Sequence, residues 1–416
     1  MERMLVRGGR PLSGTVRIHG AKNSALPILA ATLLCPGRCV LADCPDILDV
    51  SAAEEILQLL GCRTERTGSC LVTDTSGAEN AAIPRHVSGK LRASVNFLGA
   101  LLARFGEGEL AMPGGCVLGS RPVNFHLDAL RQLGVETEET GGVLRFRWPQ
   151  KRGGEVTLPF PSVGATENVL LAALAVPEPV ILHGAACEPE VADLCRFLLS
   201  CGAEIEGTGT PLLTVRGGRE LAGTAYRILP DRMESATYLC MTAACGGEVQ
   251  LLHTDARLLR PVLDALKRAG CEITEQPHGI RLRSDTALHA MGTLRTSCYP
   301  GFPTDAQAPV MAASLLAEGE TVLEETVFPE RFRHVPELRK FGGDITVNGC
   351  SSSVRGVRML HGARAEITDL RGGAGVLIAA LAAKGESILT GTELLRRGYA
   401  ELCENLLTLG ASAVLG

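Results

Sequence analysis

Apolar and polar positions along the chain alternate between two regimes, and the alternation recurs six times. Each unit opens on an Ala/Leu-rich run such as Ser24-Ala25-Leu26-Pro27-Ile28-Leu29-Ala30-Ala31, which predicts a helix. A short connecting segment and a second helix follow, and that helix ends at a glycine. The six marker glycines are Gly61, Gly134, Gly202, Gly270, Gly342 and Gly410, spaced 68 to 73 residues apart. Glycine just past a helix suits the left-handed C-cap. A hairpin closes each unit, for example Ala203–Glu206 and Leu212–Arg216 across Gly207-Thr208-Gly209. A repeat of this length is too long for the short-repeat solenoids and holds two helices and several strands.

The sixth unit stops early. Its last strand is expected at Ala411–Leu415, and no returning strand follows. Met4–Arg7 has the alternating character to supply it, so the N-terminal strand is expected to pair with the C-terminal unit. At 416 residues the chain is long enough for two or more domains. Three units per domain gives one domain at residues 21–229 and a second made of 1–20 plus 230–416.

Aligned on the glycines, the starts of the first helices carry Lys22-Asn23, Leu91-Arg92, Ser162-Val163-Gly164, Asp231-Arg232, Thr304-Asp305 and Asp369-Leu370-Arg371. Lys22, Arg92, Ser162, Arg232, Asp305 and Arg371 each stand 37 to 42 residues before their glycine. A helix N-terminus offers unpaired N–H groups and a positive dipole end, which favour anions. Asp231, Thr304 and Asp369 also read as ordinary N-caps. Starts of the second helices add Arg121, Arg257, Arg331, Arg333, Arg396 and Arg397. If each domain aims its helix starts one way, two such faces enclose a strongly anionic ligand.

Composition sharpens this. Of 41 basic residues six are lysines, which leaves thirty-five arginines. The planar guanidinium fork grips phosphate and carboxylate, although drift from Lys to Arg on a surface accounts for much of such an excess. A net charge of −5 argues against nucleic-acid and membrane-surface partners. Fifteen cysteines form no CxxC pair and read as reduced thiols, mostly small buried hydrophobes. Without a signal-peptide block or a membrane-length apolar run, a soluble cytoplasmic protein is expected. One cysteine stands apart. Cys116 lies in Met112-Pro113-Gly114-Gly115-Cys116-Val117-Leu118-Gly119-Ser120-Arg121-Pro122, a loop by its glycines and prolines, in the same unit as Arg92 and Arg121. Such a setting suits a thiol of depressed pKa and a catalytic role.

The stretches GAKNSALPILAATLL, LRAS, PGGCVLGSRPVNFH, SVGAT, LPDR, FPTDAQA, ERFRHVPEL, TDLRGGAG and RRGY resemble the UDP-N-acetylglucosamine 1-carboxyvinyltransferase (enolpyruvyl transferase) family from end to end. The resemblance implies an α/β fold: a two-domain inside-out α/β barrel of six repeats, each with two helices and a mixed sheet, and substrates in the cleft. It implies transfer of the enolpyruvyl group of phosphoenolpyruvate to the 3′-hydroxyl of UDP-N-acetylglucosamine, with release of phosphate. This is the first committed step of peptidoglycan synthesis, and it runs by addition and elimination through a tetrahedral ketal phosphate.

By position in the motifs, the resemblance makes Cys116 the proton donor and the site alkylated by fosfomycin. Asp305 becomes the base and Asp369 a second carboxylate at the reacting centre. Lys22, Arg121 and Arg397 fall to the phosphate of phosphoenolpyruvate, with Arg331 and Arg371 towards its carboxylate. Asn23 is placed beside both substrates. Arg92, Arg121, Pro122, Val123, Asn124, Ser162, Val163, Gly164, Asp305 and Val327 are implied for the nucleotide sugar. The resemblance calls for no metal and no organic cofactor. Two positions depart from the pattern. Asn124 stands where many members have Asp, and its amide oxygen still accepts from uracil N3–H. Phe160-Pro161 stands where a basic residue is common. His126, in the cysteine-loop motif, reads as a structural hydrogen-bonding group before a catalytic one. Two other readings remain: a 5-enolpyruvylshikimate-3-phosphate synthase-like transferase, opposed by the PGGC loop, and a silent UDP-sugar-binding paralogue, opposed by the presence of Cys116, Asp305 and Arg397.

Overall fold

A computed structural model describes residues 2–88, 92–111, 123–285 and 287–416, the side chains of 92 and 93 excepted. The chain divides into two units that cross over after His19 and after Leu229. The described residues within 20–229 form one unit, and those within 2–19 and 230–416 form the other. Gly20 falls in the first of these, one residue away from the boundary expected at 21.

Each unit is built around three largely buried helices. In 20–229 these are Lys22–Thr32, Phe97–Phe105 and Val163–Ala173; in the other they are Arg232–Cys245, Gln307–Ser314 and Leu370–Ala382. They lack an exposed polar face because a helix enclosed by its neighbours belongs inside, and the charged and hydroxyl groups of Arg232–Cys245 are buried with it. Small residues let these helices approach closely. A Cβ on Gly99 would lie 2.2 Å from the Asn168 carbonyl oxygen of the neighbouring helix. The second helices are amphipathic, as in Arg260–Arg268, where Val262, Leu263 and Leu266 are buried and Lys267 and Arg268 exposed. All six marker glycines adopt positive φ, from 81° to 99°, as left-handed helix ends require.

The sheets explain how each unit closes. All six described sheets have four strands and one plan: a parallel edge strand, then three antiparallel ones. The parallel strand comes from the preceding repeat, as Gly154–Thr157 beside Val180–His183. In 20–229 the last repeat returns to the first, with Ala225–Arg227 parallel to Arg38–Ala42. The other unit closes through the N-terminus. Arg3–Gly8 lies between Gly385–Thr390 and Ser412–Leu415, antiparallel to both, and stands where the sixth repeat lacks a returning strand. Leu12–Arg17 then runs parallel to Gly247–Leu252. Period-two alternation sets the register, with Met4 and Val6 fully buried and Arg7 exposed. The described cysteines are all free.

Candidate active site

In the unit of 230–416 the helix starts bring charges together. Asp305 sits in the 3-10 turn Thr304–Ala306 that leads into Gln307–Ser314. Its two carboxylate oxygens are held by two guanidinium groups: Arg331 Nη2 donates to Oδ1 at 2.7 Å, and Arg371 Nε donates to Oδ2 at 3.1 Å. Both arginines are almost wholly buried, with 3% and 6% of their side chains exposed, against 26% for Asp305. The pairs are therefore charge-assisted bonds in a poorly hydrated setting, with the carboxylate as the accessible member. Burial alone would lower the Arg371 pKa, but Tyr399, Asp305 and Asp231 outweigh it and the guanidinium holds its proton more tightly than usual.

Arg331 spends only part of its donor fork. Among the described residues its buried Nη1 has no hydrogen-bond partner, which is costly for a cation unless an anionic ligand takes it up. Beside it, His334 Nδ1 lies 3.2 Å from the Arg331 carbonyl, so Nδ1 carries the proton and buried Nε2 is an acceptor with no partner among the described residues. Burial drives this imidazole down to about 4, Asp369 opposing and Arg331 adding to the shift, so it is neutral at pH 7. Asp369 is an N-cap: Oδ1 accepts from the N–H groups of Arg371 at 3.0 Å and Gly372 at 2.9 Å. Asp231 caps its helix likewise, whereas Thr304 does not cap; its hydroxyl donates to Glu325 at 2.8 Å. Arg397 is half-buried at the end of the 3-10 turn Thr392–Arg397.

Val327 is half-buried, and its amide donates to Glu325 Oε1 at 2.9 Å. Glu325 also accepts from Phe328 N and Thr296 Oγ1, so one buried carboxylate ties Thr304 to the 325–328 turn. Sequence reasoning missed Glu325, a glutamate directly after the strand Glu320–Glu324 that carries no signal of its own. It also missed Tyr399 and Thr237, which reach Arg371 through hydrogen bonds.

In the unit of 20–229, Lys22 begins its helix and Nζ donates to Asp49 at 3.1 Å, while Asn23 is exposed. Asp49 was also missed; it is 3% exposed and opens the second helix of the same repeat. Ser162 caps Val163–Ala173, its hydroxyl accepting from Ala165 N at 3.4 Å, and Ser162, Val163 and Gly164 are half-buried. A Cβ on Gly164 would lie 2.6 Å from His126 Cε1, which leaves only glycine room there. Asn168 Nδ2 lies 2.7 Å from His126 Nδ1 and, as the donor, leaves the ring proton on Nε2. Burial lowers this histidine to about 4. Val123 is half-buried and Asn124 exposed at the start of Asn124–Gln132; Phe125 next to them stacks on Phe160 with centroids 6.2 Å apart. Cys116, Arg121 and Pro122, and the side chain of Arg92, lie outside the described residues.

The family model for EPSP synthase (3-phosphoshikimate 1-carboxyvinyltransferase) matches residues 6–406. Similarity to named proteins is closer to a different acceptor. A protein of Caldanaerobacter subterraneus named UDP-N-acetylglucosamine 1-carboxyvinyltransferase 2 is 40% identical, covering 100% of this chain and 99% of its own. A UDP-N-acetylglucosamine 1-carboxyvinyltransferase of Granulibacter bethesdensis is 42% identical over 99% and 98%. The chain belongs to the UDP-N-acetylglucosamine 1-carboxyvinyltransferase family.

Solved structures agree on the architecture. The enolpyruvyl transferase NikO from Streptomyces tendae superposes with a TM-score of 0.91 at 26% identity, over 100% of this chain and 99% of that one. EPSP synthase from Acinetobacter baumannii gives 0.78 at 18% identity over both full chains, a likeness of fold alone. The chain is thus a transferase of the two-unit, six-repeat fold. Among its described residues no helix is long and apolar enough to cross a membrane, and no group of three or more His, Cys, Asp or Glu is arranged to hold a metal ion.

Proposed function

We propose that this transferase moves the enolpyruvyl group of phosphoenolpyruvate to the 3′-hydroxyl of UDP-N-acetylglucosamine and releases inorganic phosphate. The observation that carries the reading is the Asp305 carboxylate held between Arg331 and Arg371, in a chain 40–42% identical over its length to enzymes named for that acceptor.

The reaction then runs in two steps. Cys116 gives a proton to the methylene carbon of phosphoenolpyruvate as the sugar oxygen bonds to the neighbouring carbon. Asp305 takes the hydroxyl proton, leaving a tetrahedral ketal phosphate. In the second step the carbon–oxygen bond to phosphate breaks and a proton passes from the new methyl group to the Cys116 thiolate, which restores the alkene and the thiol, while the proton taken by Asp305 leaves with the phosphate. Two guanidinium groups on one carboxylate make it a weak base at rest. Asp305 therefore becomes a competent base only when an arginine finds another anion, and the unpartnered Nη1 of Arg331 is the donor ready for the carboxylate of phosphoenolpyruvate. Arg371 assists from the other oxygen. Lys22, Arg121 and Arg397 take the phosphate and stabilise it as it leaves. Asp369 serves as the second carboxylate, with one oxygen committed to its helix cap. Asn23, Arg92, Arg121 to Asn124, Ser162 to Gly164 and Val327 serve the nucleotide sugar; Asn124, exposed, presents an acceptor to uracil N3–H.

Phosphate release in the presence of phosphoenolpyruvate tests the reading. UDP-N-acetylglucosamine should support turnover and shikimate 3-phosphate should not; turnover with the latter alone would replace the proposed acceptor. Fosfomycin should inactivate the protein through Cys116. Cys116→Asp should keep measurable turnover and lose that inactivation, since a carboxylic acid donates a proton but is not alkylated as a thiolate.

A further inference from the structure

Arg371 reaches Asp305 with Nε, and its other end is fixed by a chain of hydroxyls whose proton order the geometry determines. Nη1 of Arg371 donates to the Tyr399 hydroxyl at 3.3 Å, with the guanidinium carbon 5.8 Å from the centre of the Tyr399 ring. That hydroxyl lies 2.9 Å from Thr237 Oγ1. Thr237 Oγ1 in turn donates to the Met233 carbonyl one turn back in the buried helix Arg232–Cys245, at 2.8 Å. A threonine hydroxyl has one proton. With that proton on Met233, Thr237 accepts from Tyr399, and the Tyr399 oxygen then accepts from Arg371. Every donor in the series has one assigned acceptor, from a helix carbonyl out to the candidate base.

From this order we infer that Tyr399, backed by Thr237, is a positioning residue: it fixes the rotation of the Arg371 guanidinium so that Nε meets Asp305. The inference rests on the proposed role of Asp305. Tyr399 is 3% exposed and Thr237 1%, so neither meets substrate from solvent. Packing alone would need only the ring of Tyr399; the hydroxyl is what bears on Asp305. Tyr399 also follows Arg397 by two residues, and its amide donates to Leu395 O at 3.1 Å, so the same anchor holds the end of that turn.

The test compares Tyr399→Phe with the wild type in the phosphate-release assay across pH. Removing the hydroxyl loosens Arg371 and weakens its hold on the carboxylate. We expect kcat to fall about tenfold, the size of one hydrogen bond to a charged group, with the acid limb of the kcat profile moved up by about half to one pH unit. Among the described residues, the charged and titratable groups here include Arg331, Arg371, Tyr399, Asp369, His334 and Asp231, and the variant replaces only Tyr399. Thr237→Val should move the limb in the same direction by less, Thr237→Ser should restore it, and Tyr399→Phe with Thr237→Val together should do no more than Tyr399→Phe alone. Melting temperatures separate folding loss from this effect. A Tyr399→Phe enzyme with an unmoved acid limb overturns the inference, whether its kcat holds or falls with stability. No phosphate release by the wild type would instead defeat the functional reading. The inference is then read from the Asp305 ionisation itself, by infrared titration of each protein against its Asp305→Asn counterpart: a higher midpoint in Tyr399→Phe supports it and an equal midpoint refutes it.

Discussion

Helix starts in the unit of 230–416 are held by charge, and the described starts in 20–229 chiefly by neutral groups. In the former, Arg331 and Arg371 close on Asp305, and Asp231 and Asp369 cap their helices as carboxylates. In the latter, Ser162 caps with a hydroxyl, and Asn168 ties three places together: its amide oxygen accepts from Gly99 N at 2.6 Å, and its nitrogen lies 3.0 Å from Val95 O and 2.7 Å from His126. Lys22 with Asp49 is the charged exception. The same repeat therefore supports two kinds of precision. Buried ion pairs aim a carboxylate but hold its charge tightly; a neutral amide fixes backbone without adding a field that a bound anion would feel.

Variants should break that contrast unequally. The largest effect is expected from Arg371→Ala, which removes the donor to the Tyr399 hydroxyl and one of the two guanidinium groups described on Asp305. Removing one member of a buried pair costs about 3–5 kcal/mol, so a melting temperature lowered by many degrees should accompany a turnover loss of about a hundredfold or more. Asn168→Ala is the neutral counterpart. It orphans the Gly99 amide and the Val95 carbonyl, and should destabilise by about 2–3 kcal/mol in denaturant titration, with little change in the pH dependence of turnover. If Asn168→Ala shifts that pH dependence as strongly as Arg371→Ala, the division between charged and neutral starts fails.

Asp49→Asn probes the exception. The amide still reaches Lys22 but no longer orients it by charge, so KM for phosphoenolpyruvate should rise about threefold with kcat nearly unchanged. An unchanged KM would detach Asp49 from the phosphate site. The smallest effect concerns pH and stability. His334 and His126 titrate near 4 when folded, against an ordinary 6.5. Between those values the unfolded chain binds more protons, so stability falls as pH drops from 6.5 towards 4 and levels below. His334→Gln should lose less melting temperature than the wild type between pH 7 and pH 5. Equal losses would mean that His334 is protonated without cost in the folded protein.

Much of the architecture was legible because it repeats. The spacing of Gly61 to Gly410 locates the ends of the second helices, since only glycine takes the left-handed turn there cheaply, and the unfinished sixth unit together with Met4–Arg7 marks the strand that completes it. Asp305, Arg331 and Arg371 could be singled out by their positions in the repeat and by the family resemblance, but their mutual contact could not. It depends on a 66-residue separation between Asp305 and Arg371, closed by tertiary packing. Glu325, Thr237 and Asp49 gave no signal, and Tyr399 stood in the RRGY stretch without a role of its own. A glutamate after a strand, a tyrosine after a turn, a threonine within a helix and an aspartate in a first turn each have an ordinary structural reading, and only their partners set them apart. Asn124 and Phe160 were visible as departures from the family pattern, and Phe160, at a position commonly basic in the family, stacks on Phe125, the residue after Asn124.

The account turns on Asp305 doing chemistry as well as anchoring two arginines. Asp305→Ala, assayed for phosphate release and for UDP-N-acetylglucosamine affinity by calorimetry, separates the two. Turnover should drop by about two to four orders of magnitude while the sugar nucleotide binds within about tenfold of the wild type. Parallel losses of affinity and turnover, or turnover that survives, would contradict a base at this position.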